Sequence, residues 1–434
     1  MPGMRVAVIG AGVCGMAAAI RLAEAGHDVA VYDPAPVAGG LASGVEVGDA
    51  TVERFYHHLF RSDAVAARWI TSLGLGERLH FFPASMGFYS GGRLYPFGTP
   101  ASLLRFTPLP LRDRVALGLR IMRLSSTADA TRFEHLTAVE WLRQRASREE
   151  LEVFWHPLLR AKFGRDSDLV SMAWLWARFR SRVGGSVGRQ ERLGYLRGGF
   201  HALGEAMAAR AGELGVAAHL GVSVGSLVVR GGAVAGVEHA QGEDAVDGVV
   251  WTPSLNTLAR RVPELPFAYR EACAATRYHG AIVVVVELAR SALPYYWVTI
   301  GDANLPFTVA VEHTRLLPPE DYGARTIVYL GTYTPPDGPL NLRDDGEVRA
   351  LFLDAATAAL SPAFANPLRA RVFRAAAAQP IVPAGWGSQR PPLRTGLRGL
   401  VTANIAQIYP WDRGINYSLE LGEAAARALE ADVA

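Results

Sequence analysis

Arg5-Val6-Ala7-Val8-Ile9-Gly10-Ala11-Gly12-Val13-Cys14-Gly15, followed eighteen residues on by Asp33 at the end of Val29-Ala30-Val31-Tyr32, decides the fold. A short apolar strand runs into a GxGxxG turn and then into an Ala-rich helix over Met16 to Ala25. That is the signature of a βαβ unit that binds a dinucleotide. Gly10 permits the tight turn, Gly12 lets backbone approach a pyrophosphate, and Gly15 lets helix and strand pack closely. The phosphates are expected at the helix N-terminus, where unpaired N–H groups and the helix dipole favour anions. Asp33 stands where an acid accepts a hydrogen bond from a ribose hydroxyl.

The chain then reads Pro34-Ala35-Pro36-Val37-Ala38-Gly39-Gly40-Leu41-Ala42-Ser43-Gly44 rather than entering another βα unit. Here it resembles the flavin-dependent amine oxidase superfamily, which includes protoporphyrinogen oxidases, carotenoid-type desaturases and, more distantly, UDP-galactopyranose mutases. The resemblance implies that Gly39, Gly40 and Leu41 wrap backbone around the pyrophosphate and flavin of FAD. Leu196-Arg197-Gly198-Gly199-Phe200-His201-Ala202-Leu203, a helix to about Leu214 and a strand over Val216 to Leu227 look like the return to the FAD domain. On that resemblance Val224 offers backbone to the adenine. Asp247-Gly248-Val249-Val250-Trp251-Thr252-Pro253 resembles the strand that re-enters next. Gly399 to Asn404 and Gly414-Ile415-Asn416-Tyr417, opening a helix over Ser418 to Leu429, match the last flavin contact. Asn404 stands where the family has an acid, and Ile415, Asn416 and Tyr417 bring a helix N-terminus to the flavin, where it suits the charge of a reduced ring.

The predicted architecture is therefore α/β. A Rossmann-like FAD-binding domain is assembled from three separated segments, at 1–60, 186–255 and 391–434. A mostly helical substrate or lid region fills 61–185, with helix patterns over Ser62 to Leu73, Leu111 to Leu124, His135 to Ala146 and Leu151 to Lys162. A β-rich substrate domain with a mixed sheet fills 256–390. Within it Val283-Val284-Val285-Val286 reads as a strand buried on both faces. A helix over Glu347 to Leu360 is expected to cover that sheet, and a substrate cavity to lie at the domain boundary.

Composition narrows the class. With 434 residues, 50% of them hydrophobic, the chain has ample material for two or three cores. A net charge of +3 implies no general attraction to nucleic acid. Cys14 and Cys273 form no disulfide framework and no metal spacing, and no apolar run approaches the ~20 residues of a membrane span, so a cytoplasmic protein is expected. The segment Leu103 to Phe106 and on through Leu111 to Leu124 is apolar with interspersed arginines. A lid helix on the substrate channel is the favoured reading; a peripheral membrane contact is the alternative.

Glu53-Arg54-Phe55-Tyr56-His57-His58-Leu59-Phe60 resembles the superfamily stretch after the Gly-Gly pair, especially the aromatic and histidine run of galactopyranose mutases. The resemblance implies that His58 lies against the flavin ring, as hydrogen-bond donor or proton shuttle. His57 is expected on the opposite strand face, since neighbours alternate; a structural histidine pair is the alternative, and no metal is implied. Lys162, before Phe163 and Gly164, is similar to a superfamily element in which a lysine and an aromatic precede a glycine over the active site; helix capping explains it equally. The lysine that amine oxidases carry on the substrate sheet is missing from Thr276 to Gly280.

Substrate contacts are expected from Tyr56, from Tyr409 and Trp411 as aromatic walls, and from Arg180 within the cluster Arg178, Arg180, Arg182, Arg189, Arg192 and Arg197. Such a cluster suits an anionic small molecule, with a solvated arginine-rich surface as the plainer explanation. The reading is an FAD-dependent oxidoreductase that moves a hydride from an amine, alcohol or saturated carbon to flavin N5. A sugar-nucleotide mutase and a non-catalytic flavin-binding protein are the alternatives.

Overall fold

The computed structural model describes residues 3–182 and 191–433. A parallel sheet of five strands runs Leu400–Thr402, Gly248–Trp251, Arg5–Ile9, Asp28–Asp33 and Ala217–Leu220 in spatial order. These strands come from three distant parts of the chain, and each is short and largely apolar. Parallel strands need cover on both faces. Val6, Val8 and Val31 share one core with the helices Val13–Glu24, His201–Glu213 and Ile415–Val433, while Ala7, Ile9, Tyr32 and Trp251 join a second core. That second core also takes in residues of the meander Val224–Arg230, Ala233–His239 and Gly242–Ala245.

The second large sheet has seven strands, in the order Arg369–Pro380, Tyr278–Leu288, Thr326–Thr334, Val309–Glu312, Trp297–Ile300, Met86–Ser90 and Arg93–Phe97. It is mixed, because Trp297–Ile300 pairs in parallel with Met86–Ser90 and the other ladders are antiparallel. Tyr278–Leu288 is buried along its whole length. Ile282, Val284 and Val286 pack with Phe352 of the helix Asp345–Ala359, and Ala281 and Val283 on the opposite face line a cavity. Alternation along one strand thus divides a core from a site.

Several elements differ from the sequence expectation. The region 61–185 is not mostly helical throughout: it supplies Met86–Ser90 and Arg93–Phe97 to the mixed sheet, and Leu79–Pro83 pairs with Arg192–Leu196. The helix expected over Leu151 to Lys162 is a π-helical turn over Leu151–Trp155 leading into His156–Phe163. The single strand expected over Val216 to Leu227 breaks at Gly221, whose φ of +80° ends one strand so that Val224–Arg230 joins another sheet. The helix Leu111–Ser126 does not reach the cavity: its buried side, Leu117 and Leu124, packs into the core that holds Trp176 and Phe179. It is a surface helix and not a lid.

A buried carboxyl couples the first two segments of the parallel-sheet domain. Glu53 accepts hydrogen bonds from the Tyr195 hydroxyl at 2.8 and 3.0 Å and from the Phe200 amide at the start of His201–Glu213. Burial pushes its pKa up from 4.5 to about 7 against the pull of those hydrogen bonds. A carboxyl whose folded pKa is raised contributes stability that is full below the unfolded value and is lost as pH rises through the folded one. Stability should therefore fall by a few kcal/mol as pH rises from about 4.5 to about 7. Urea denaturation on both sides of that window should show the fall in the parent and a much flatter profile in Glu53→Gln; equal slopes would contradict the assignment.

Candidate active site at the domain boundary

The helix Val13–Glu24 opens on Gly12 with no side-chain cap and no acid in its first turn. Its first N–H groups therefore face whatever lies beyond the turn. Gly39, whose amide donates to Ala11 O at 2.8 Å, holds the second glycine loop beside the first, and Gly12 and Gly39 form an isolated bridge. A Cβ on Gly12 would have only Gly40 Cα within 4 Å, at 3.9 Å, so space remains beside the uncapped amides. Gly10, with φ +103°, makes the turn, and a Cβ on Gly15 would overlap the Gly10 carbonyl oxygen. Asp33 accepts from the amides of Ala11 and Ala35, each at 2.7 Å. Two amides leave lone pairs on that carboxylate for a diol. An anion-accepting helix end, a bare glycine cradle and a fixed acid at the strand tip fit the pyrophosphate and ribose of a dinucleotide.

Beyond this cradle lies a cavity of about 210 Å³. Leu41, Ile415, Asn416 and Tyr417, four of the residues expected at a flavin ring, line it together with Tyr56, His57, His58 and Lys162. The N-terminus of Ile415–Val433 opens onto the same space, while the Asn416 side chain accepts from the Ala66 amide at 3.0 Å and so anchors a neighbouring helix.

Residues 55–58 are irregular and not a strand. The alternation expected for His57 and His58 therefore does not hold, and both rings reach the cavity. His57 Nδ1 lies 2.6 Å from the Phe55 carbonyl oxygen. His58 sits edge-on to Phe60, Tyr296 and Trp297, and its Nδ1 is buried with no partner among the described residues. Burial, reinforced by Arg413 for His57 and by Arg182 for His58, pushes their pKa values down to about 4 and about 3. Both are neutral imidazoles at neutral pH. Tyr56 stands edge-on to Trp297 at 5.2 Å and faces Tyr333.

Lys162, in the last turn of His156–Phe163, pairs with Asp412 from the loop before the final helix. Arg178 approaches the same carboxylate at 3.3 Å and Trp174 Nε1 at 3.4 Å. The ammonium thus engages another side chain across the cavity and does more than cap its helix. Burial, with Arg178 and Arg413 adding repulsion, pushes Lys162 down to about 7, against the attraction of Asp412. Asp412, although buried, is held down to about 2 by Lys162 and Arg178. Arg413 completes the ring of charge, donating to Gln379 at 3.1 Å and to the Tyr333 hydroxyl.

Other expected contacts are committed elsewhere. The Asn404 side chain accepts from Tyr278 and Ala406 and donates to Thr252 and Pro253, so all its hydrogen-bonding capacity is spent within the protein and none is left for a cofactor. The Val224 carbonyl accepts from Arg261. Tyr409 joins Ser171 and Glu134 at 2.8 and 2.7 Å and ties loops together rather than walling the cavity. Trp411 stacks on Tyr417 at 5.7 Å, behind the lining. Arg180 points away and donates to Ser125 O at 3.1 Å. Of the arginine cluster only Arg178 and Arg182 line the cavity among the described residues, and Arg189 lies outside them. Asp412, Arg413 and Tyr333 were missed. The first two lie in the run that supplied Tyr409 and Trp411, where the aromatic residues drew the reading; no local signal marks Tyr333.

Residues 13–429 match the family profile described as flavin containing amine oxidoreductase. A probable zeta-carotene desaturase of Synechococcus elongatus is 29% identical over 191 residues, which cover 39% of this chain and 40% of that protein. Among solved structures, a protein described as a protoporphyrinogen oxidase from Exiguobacterium superposes with a TM-score of 0.79 at 15% identity, covering 99% of both chains. Cyclohexylamine oxidase from Brevibacterium oxydans gives 0.75 at 18% identity, again over 99% of each.

Two glycines of the first loop should separate cofactor binding from folding. Gly12→Val puts its side chain into the open space of the cradle, so the fold should persist while bound FAD is lost. Gly15→Ala forces a methyl into backbone and should cost on the order of 1–3 kcal/mol of stability. The absorbance spectrum and a thermal melt of each variant decide it; a normal flavin spectrum in Gly12→Val would remove the cradle assignment.

Proposed function

The chain belongs to the flavin-containing amine oxidoreductase family, its cofactor is FAD, and from that premise we propose an oxidoreductase acting on a small molecule with an anionic end. Leu41 and the helix end at Ile415 to Tyr417 are the residues to hold the flavin ring, with Gly12, Gly39, Gly40 and Asp33 on the pyrophosphate and ribose. Bound FAD supplies a two-electron acceptor for hydride. The protein's share is to orient the substrate carbon, exclude water and manage one proton.

One observation carries the reading of the proton. Lys162 is the one lysine among 44 basic residues, and it stands in the cavity. Arginine stays protonated in proteins, whereas a buried lysine gives up its proton near neutrality. With pKa pushed to about 7, Lys162 Nζ alternates between charged and neutral forms and can take a proton from a substrate nitrogen or oxygen. Asp412 remains ionised and holds Nζ in place. The neutral histidines do not compete for that proton; the Nδ1 of His58, which has no partner among the described residues, is left for a hydrogen bond to bound ligand.

Charge carries the substrate class. Arg178, Arg182, Arg413 and a partly protonated Lys162 face the cavity against Asp412, Glu191 and Asp63. Arg182 pairs with Glu191, and Arg178 and Lys162 share Asp412, so the small positive excess rests on Arg413, which forms no ion pair among the described residues. On that excess a carboxylate or phosphate is favoured over a diamine. Anaerobic mixing with matched panels tests this: carboxylated amines or alcohols should bleach the flavin faster than diamines of equal length. Rapid bleaching by diamines alone would overturn the anionic assignment. Turnover only with prereduced flavin, and without electron consumption, would mark an isomerase instead.

The proton role has its own signature. In the parent, the flavin-reduction rate should rise as pH passes about 7, because the neutral amine is the base. Lys162→Met should keep FAD, lose that inflection and slow reduction by about 10²–10⁴. An unchanged pH profile would assign the proton elsewhere.

A further inference from the structure

The helix Leu111–Ser126 turns its apolar stripe outward. Leu111, Val115, Leu119 and Met122 follow one another at helical spacing and lie between 47% and 61% exposed, while Leu117 and Leu124 on the other side are buried. At 100° per residue the four fall within an arc of about 80°. Leu104, 50% exposed at the end of Pro100–Leu104, adds a fifth apolar side chain. Pro110 stands before the helix begins and so leaves the stripe uninterrupted. The rim is basic: Arg105, Arg112 and Arg123 are exposed, and no carboxylate among the described residues forms an ion pair with Arg105 or Arg123. The inward cations are spent within the protein, with Arg114 donating to the carbonyls of Leu104 and Leu109 and Arg120 paired in bidentate fashion with Glu150. The scaffold is therefore fixed while its outer face is unpartnered.

We propose that this face docks on the surface of a lipid bilayer bearing anionic headgroups. Apolar side chains in the middle with guanidinium groups beside them match the layering of a bilayer interface, where acyl chains lie beneath phosphates. A second copy of the chain fits less well. Five side chains fall far short of the roughly 20–30 residues a side of a stable interface, and a two-fold contact would set arginine rims against each other. No described helix is long and apolar enough to cross a membrane, so the contact is with the surface. The proposal stands apart from the reading of the cavity.

Flotation of the FAD-loaded protein with phosphatidylcholine vesicles, and with vesicles also containing phosphatidylserine, tests it. Binding should favour the phosphatidylserine vesicles and weaken with added salt. Leu119→Ser with Met122→Ser should weaken it by on the order of tenfold or more. Arg105→Gln and Arg123→Gln should each cost roughly fivefold. All four positions are exposed and outside the cavity, so the flavin spectrum and thermal melt should match the parent. Absence of flotation, or flotation that the serine pair leaves unchanged, overturns the proposal. So does a dimer in sedimentation velocity that the serine pair abolishes, which would assign the face to a second copy.

Discussion

Backbone has to touch backbone around the helix Val13–Glu24, and the rest of the molecule is arranged to allow it. On one side a Cβ at Gly15 would overlap the Gly10 carbonyl; on another, a Cβ at Gly422 would overlap the Cys14 carbonyl and lie 2.9 Å from Ala17 Cβ. Gly204 of the helix His201–Glu213 meets the second glycine loop in the same way, with Gly39 Cα 2.9 Å from where a Cβ would stand. The last helix is thus locked to the first, and His201–Glu213 to the second glycine loop, by missing side chains. Close packing of this kind is unforgiving, since even one methyl has no volume to enter. What it yields is position: the uncapped end of the first helix, the Gly39-Gly40 loop and the start of the last helix are all held near one ligand path.

The cavity at the end of that path is assembled by charge as well as by shape. Lys162 arrives on the helix His156–Phe163, Arg178 on the helix Met172–Arg180, and Asp412 on the loop before Ile415–Val433. A buried ion pair is weak evidence for stability, because desolvating both charges offsets much of their attraction. Its consequence here is chemical. Asp412 is kept ionised by two cations, while one of those cations is brought to the edge of losing its proton. In the role proposed for Lys162, the acid fixes a base that it does not itself protonate, an arrangement suited to a proton-accepting amine near neutral pH.

Much of the parallel-sheet domain was legible because its constraints are local. A strand, a glycine turn, a helix and an acid lie within residues 5–33, and each is dictated by backbone sterics at its own position. Tyr278–Leu288 was legible from its four valines for the same reason. The expected placement of His57 and His58 on opposite faces failed because it assumed a strand, and the chain at 55–58 is irregular. Asn404 was read from its place in a motif, yet an amide that can donate twice and accept twice found four partners within the protein. Where a side chain's partners come from 126 to 152 residues away, nothing local announces them.

The arginine cluster shows how sharp that limit is. On the helix Met172–Arg180, residues four apart share a face and residues two apart are turned by about 200°. Trp174 and Arg178 accordingly both approach Asp412 in the cavity, whereas Trp176 and Arg180 donate to the carbonyls of Thr127 and Ser125 at the end of the outer helix. One helix therefore carries two alternating pairs with opposite duties: one face completes the charged wall of the cavity and the other fastens the surface helix that bears the apolar stripe. Arg178 and Arg180 are the same residue type, two positions apart in a run of like charges, and composition cannot separate them. The phase of the helix does, and it became readable only once Thr127 and Asp412 were in place on either side.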